Sequence, residues 1–80
     1  MNLRLAILEV LQEADLRGAS FAALTPYVKG RAVGEAWTRE EIERELVKLM
    51  QEHLVAAQYD KVQETNRYFI TSQGQIALAR

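Results

Sequence analysis

Cysteine is absent from this 80-residue chain, and proline, tryptophan and histidine occur once each. Without cysteine there are no disulfides, no thiolate zinc sites and no thiol nucleophile, which suits a reducing compartment and predicts a cytoplasmic protein. No apolar run approaches the roughly 20 residues needed to cross a bilayer. Met1 to Leu16 alternates charge with leucine, where a signal peptide would place a charged start before an apolar stretch, so neither a leader nor a membrane anchor is expected. A basic excess is also missing: ten Lys and Arg face eleven Asp and Glu, a formal net charge of -1, unlike most nucleic-acid binders.

The scarcity extends to catalytic groups. One histidine and no cysteine leave no metal cluster, and His53 falls at the exit of an expected helix, where capping or a surface role is the simpler reading. Gly30 and Gly34 lack the lysine and the strand-to-helix context of a phosphate loop. Ser20 and Ser72 stand at helix-start positions. Glu40, Glu41, Glu43 and Glu45 occupy neighbouring helical positions that point in different directions, so they do not form a working carboxylate pair. The expectation is a protein that is not an enzyme and needs no cofactor or metal.

What is present is an apolar fraction of 49%, enough for one core in one domain spanning residues 1–80. Leu3, Ile7, Val10, Leu11 and Ala14 recur at spacings of three and four and predict a first helix over about 2–14. Leu5 and Leu8 fall toward its other side, where they either widen the buried face or form a partner surface. Gly18 is placed to cap, and Ala19 to lie in a short extended stretch. Ser20 caps a second helix carrying Phe21, Leu24 and Val28; Pro26 either kinks it or starts a new turn after Thr25, and a single imperfect helix is the preferred reading. Residues 29–36 lack periodicity and read as a loop.

The strongest local signal follows. Thr38 is an N-cap with Glu41 three residues later, and Trp37 and Ile42 are spaced as a hydrophobic staple. Ile42, Leu46, Leu49, Met50 and Leu54 predict a buried stripe, leaving Arg39, Glu40, Glu43, Arg44, Val47, Lys48 and Gln51 outside. Residues 55–62 and 67–71 then switch to a strand period around a polar tip at 63–66, predicting a hairpin in which Tyr68 and Ile70 face the helices and Phe69 faces away. Thr71 caps a last helix that buries Ile76 and Leu78. The predicted class is therefore α+β: three helices, a β-hairpin and a short C-terminal helix.

The run LVKLMQEHLVAAQYDKVQETNRYFITSQGQIAL resembles the third helix, wing and following helix of PadR-type and MarR-type winged helix-turn-helix regulators. Arg67, Tyr68, Ile70, Thr71 and Gly74 match the end of their hairpins, LAILEVL is similar to their first helix and SFAALTPYV to their second. His53 stands where these families usually place glycine. The resemblance implies a small winged helix that reads double-stranded DNA in transcriptional control, with the 38–54 helix in the major groove.

On that reading Arg39 and Arg44 are placed for guanine, Glu43 for a cytosine amino group, and Lys48 and Thr38 for phosphate, while Lys61, Asn66 and Arg67 of the wing meet the backbone. Against it, residues 38–54 carry three basic and five acidic side chains. The competing expectation is a protein-interaction module with no DNA contact, using the acidic helix or an apolar patch of Leu5, Leu8 and Val47. Few cations imply a weak monomer, so a homodimer with reading helices one DNA turn apart is a further expectation.

Overall fold

The computed structural model describes residues 2–32 and 36–79. Helix α1 (Leu3–Ala14) leads through a 3₁₀ turn (Asp15–Arg17) into strand β1 (Ala19–Ser20) and helix α2 (Phe21–Gly30). Helix α3 (Arg39–Gln51) is followed by β2 (Val55–Asp60), β3 (Thr65–Ile70) and α4 (Ser72–Ala79). The sheet is antiparallel with β3 in the middle, ordered β1-β3-β2. Among the described residues no helix is long and apolar enough to cross a membrane.

Each helix start is closed by a short polar side chain, which satisfies amide groups that have no partner within the helix. Asn2 Oδ1 accepts from the Leu5 amide at 2.8 Å, and Ser20 Oγ from the Ala23 amide at 3.2 Å. At α3 the capping box is complete: the Glu41 amide donates to Thr38 Oγ1 at 3.1 Å, and the Thr38 amide donates to Glu41 Oε1 at 3.0 Å. Pro26 sits inside one continuous α2, and its ring deprives the exposed Ala22 carbonyl of a helical donor while Thr25 Oγ1 donates to the Phe21 carbonyl at 2.6 Å.

The core joins α1, α2 and α3 through Ile7, Leu11, Leu24, Val28, Ile42 and Leu49, with Trp37 buried at the entry to α3. Tyr68 and Ile70 pack against it from the sheet. Phe69 lies on the opposite face, against Gly18: a Cβ at Gly18 would stand 2.5 Å from Phe69 Cε1, and its φ of 66° also favours glycine.

Four expectations change. Leu8 is 1% exposed and so is no part of a partner surface, because α1 is covered by α4 and β3 as well as by α2 and α3, and more than one stripe is buried. Ile76 is exposed: buried Gly74 lies against the Leu54 carbonyl and sets the rotation of α4, so Leu78 four residues on faces inward and Ile76 two residues on faces out. The expected loop at 29–36 begins later, since α2 continues through Gly30 and its end is held by Arg31, which pairs with Glu9 and Glu13 of α1; Gly34 lies outside the described residues. The hairpin tip is shifted, with the strands ending at Asp60 and resuming at Thr65. Asp60 Oδ1 accepts from the Val62 and Gln63 amides at 2.9 and 3.3 Å, which turns the chain there.

The exit from α3 explains the unusual position of His53. The Leu54 amide donates to the Leu49 carbonyl at 2.9 Å and the His53 amide to the Met50 carbonyl at 3.1 Å, a Schellman ending in which His53 takes the left-handed position with φ 63°. Its carbonyl accepts from Thr71 Oγ1 at 2.7 Å, and Thr71 Oγ1 in turn accepts from the Gly74 amide at 3.0 Å. One threonine thereby fastens the end of α3 to the start of α4.

Candidate nucleic-acid interface

The outer edge of α3 is built by its own periodicity. With Ile42, Leu46 and Leu49 buried, Glu40, Glu43, Arg44, Val47, Lys48 and Gln51 line one shallow depression on the surface. Thr38, Arg39, Glu43, Arg44 and Lys48 are all exposed, as is Val47 at 47%. The Arg39 guanidinium lies over the Phe21 ring, 5.4 Å from its centroid, which holds that cation at the junction of α2 and α3.

Geometry alters the charge of this helix. Arg4 of α1 turns toward it, donating from Nη1 to Glu52 Oε1 at 2.8 Å, with Nη2 against Glu52 Oε2 and 3.3 Å from Glu45 Oε2. Glu41 is folded back on Thr38 in the capping box. Three of the five acidic side chains are thus occupied on the flank toward α1 or at the cap. The open edge presents Arg39, Arg44 and Lys48 against Glu40 and Glu43, while Glu41, still charged, is turned back to the cap and Arg4 offsets one of the two charges of Glu45 and Glu52. The Arg4 guanidinium holds the Glu52 carboxyl below its ordinary range, and the Thr38 backbone bond does the same for Glu41.

The hairpin places its three expected contacts differently. Lys61 is exposed in the turn, and Asn66 is exposed opposite Tyr59. Arg67 is half-buried on the opposite face of the ribbon, because successive strand residues alternate sides. Its Nε donates to Asp60 Oδ2 at 3.1 Å and its Nη1 to the Arg17 carbonyl at 2.8 Å. The bond from Arg67, with those from the Gln63 and Val62 amides, keeps the Asp60 carboxyl below its usual range. Of the suggested partner surface, Leu5 and Val47 remain exposed on different helices and Leu8 does not.

Sequence reasoning did not single out Arg4, Asp60, Arg17 or the Phe21 ring as site-shaping groups. Arg4 had a signal: it is the single cation of α1, facing a chain whose third helix has surplus carboxylates. Asp60 had another, an aspartate at a strand end before a turn. Among the described residues no three His, Asp or Glu side chains cluster to hold a metal.

No family model and no curated protein matches the chain. Solved structures do: a transcriptional regulator of the MarR family from Silicibacter pomeroyi superposes on 98% of the chain with a TM-score of 0.79 at 20% identity. A second MarR family transcription regulator covers 96% with a TM-score of 0.77 at 22% identity. The chain has the winged-helix fold. In that architecture the β2–β3 hairpin is the wing and α3 the third helix; both matched proteins are of the MarR type and neither is PadR-type. The winged helix described here spans just under half the length of each matched chain, 47% and 46%.

Proposed function

We propose that this winged helix binds double-stranded DNA through α3 and the wing and serves transcriptional control in the cytoplasm; the matched structures are named as transcriptional regulators. The observation that carries the reading is the sorting of charge on α3. Arg4 and the capping box occupy Glu45, Glu52 and Glu41, and the remaining edge carries three cations that have no salt bridge among the described residues.

In a major groove, Arg44 offers two donors to a guanine edge and Glu43 accepts from a cytosine amino group, while Lys48 and the Thr38 hydroxyl meet phosphate. Arg39 approaches the groove from its seat over Phe21. Lys61 and Asn66 contact the backbone from the wing; Arg67 belongs to the same hairpin, with its guanidinium already engaged. So few cations neutralise few phosphates, and a single copy binds weakly. A symmetric pair with reading helices about 34 Å apart would bind two half-sites. Neither a cofactor nor catalysis is part of this reading.

The test is a titration of labelled protein with random-sequence duplex at two salt concentrations. Amide shifts confined to 38–48 and 61–67, with affinity falling as salt rises, support the proposal. Absence of binding at low salt, with a protein partner retained through a salt-insensitive contact, replaces it with protein docking.

A further inference from the structure

Arg67 sits in the middle strand, opposite Ser20 on one side and Gln58 on the other. Its side chain reaches both neighbours' continuations. Nη1 donates to the Arg17 carbonyl in the 3₁₀ turn ahead of β1, and Nε donates to Asp60 at the end of β2. The other Asp60 oxygen gathers the Val62 and Gln63 amides of the tip. One planar guanidinium therefore ties the turn after α1, the central strand and the hairpin tip in a single chain of bonds. An ammonium has no fork with which to span two acceptors in one plane.

We propose that Arg67 is a positioning residue: it aims the wing by bridging Asp60 and the Arg17 carbonyl, and contacts no phosphate itself. This rests on the DNA-binding reading. Charge supports the assignment, since the Arg67 cation is matched by Asp60 at 3.1 Å and the hairpin 60–67 holds two cations against two carboxylates. Geometry supports it too. A two-stranded ribbon is marginal alone, and beyond β1 its tip has no neighbouring strand to hold its direction. The Phe69 ring against Gly18 keeps the base of the ribbon seated when the bridge is removed, so the variants fold and only the tip is released.

Asp60→Asn separates the alternatives, because asparagine keeps an oxygen for the turn amides but loses the charge that holds Arg67. If Arg67 aims the wing, Asp60→Asn weakens binding to random-sequence duplex even though a negative charge has been removed. A tip correctly aimed in a fifth of the molecules lowers apparent affinity about fivefold. Arg67→Ala does the same and leaves the slope of log K against log salt unchanged, whereas Lys61→Ala reduces that slope by about 0.9. Arg67→Lys does not restore affinity. In the free variants, amide exchange at 61–64 accelerates while that of α1 and α3 is retained.

Tighter binding by Asp60→Asn, a salt slope reduced by Arg67→Ala, or full affinity in Arg67→Lys overturns the assignment in favour of a phosphate contact. Unchanged exchange at the tip overturns the bridge itself. A wild-type chain that binds no duplex defeats the DNA reading and the aiming role with it. The exchange measurement, made without DNA, still reports separately whether Arg67 orders the wing.

Discussion

Arg4 and Glu52, 48 residues apart, meet through Nη1 and Oε1 at 2.8 Å and join the first turn of α1 to the C-cap of α3. The same guanidinium lies 3.3 Å from Glu45. Its bonds to both carboxylates hold the Arg4 proton more firmly than usual, so the side chain stays charged at any ordinary pH. This contact determines how much negative charge α3 shows to a polyanion.

Arg4→Ala is expected to weaken DNA binding without touching the DNA. Two carboxylates on α3 lose their counter-charge, and the penalty, roughly threefold at low salt, shrinks as salt screens it. Because the pair is partly exposed, Tm falls only slightly. Anisotropy titrations of both proteins across a salt series check this; an identical affinity at low salt would mean that the charges of Glu45 and Glu52 lie too far from the duplex to be felt.

The helix starts at Ser20, Thr38 and Thr71 were open to sequence reasoning because a cap is settled within three or four residues of chain. Exposure of Arg39, Glu43, Arg44 and Lys48 followed equally from helical spacing around Ile42, Leu46 and Leu49. Leu8, Ile76 and Arg4 depend instead on which element lies across from them, and that is decided by contacts far apart in sequence. Arg67 shows the same limit within the site. Its position in a strand was legible, but its inward engagement required Asp60 to end β2 two residues earlier than the strand pattern implied.

His53→Gly is expected to stabilise the fold by about 1 kcal/mol. A side chain in the left-handed region costs about 1–2 kcal/mol, partly offset by the greater unfolded-state freedom of glycine. The Schellman bonds and the bond from Thr71 use only the backbone of residue 53, so glycine keeps them. Thermal unfolding should show Tm raised by roughly 4–8 °C per kcal/mol in a domain of this size. A lowered Tm would reveal a favourable imidazole contact.

Gly74→Ala should have the opposite effect. Its Cβ would stand 2.3 Å from the Leu54 carbonyl oxygen and 2.8 Å from Ile70 Cγ1, and the backbone carbonyl cannot swing aside as a side-chain end can. A loss of about 1–3 kcal/mol, typical of overpacking, is expected in urea unfolding. Gly30→Ala is the matched control. Nothing lies within 4 Å of its added Cβ, and alanine is favoured over glycine in a helix by up to about 1 kcal/mol. Equal effects at the two positions would contradict the close seating of α4 on Leu54.

Acid should destabilise the domain through Glu41, Glu52 and Asp60, whose carboxyls are all held below their ordinary values. For a group with a depressed folded pKa, the unfolded chain binds protons more readily than the folded one. Its stabilisation is complete above the unfolded value, 4.5 for a glutamate and 3.8 for the aspartate, and disappears as pH falls through the lower folded value. Unfolding free energy is therefore expected to hold steady from pH 7 to about 5 and to decline below it. Glu41→Gln separates the contributions: glutamine keeps an acceptor for the Thr38 amide but does not titrate, so its urea midpoint should fall less steeply between pH 5 and pH 3. Added salt should flatten the part due to Glu52 and Asp60, which rests on ion pairs with Arg4 and Arg67, more than the part due to Glu41, which rests first on a backbone bond. Parallel wild-type and Glu41→Gln curves would show that the capping box does not depend on the carboxylate charge.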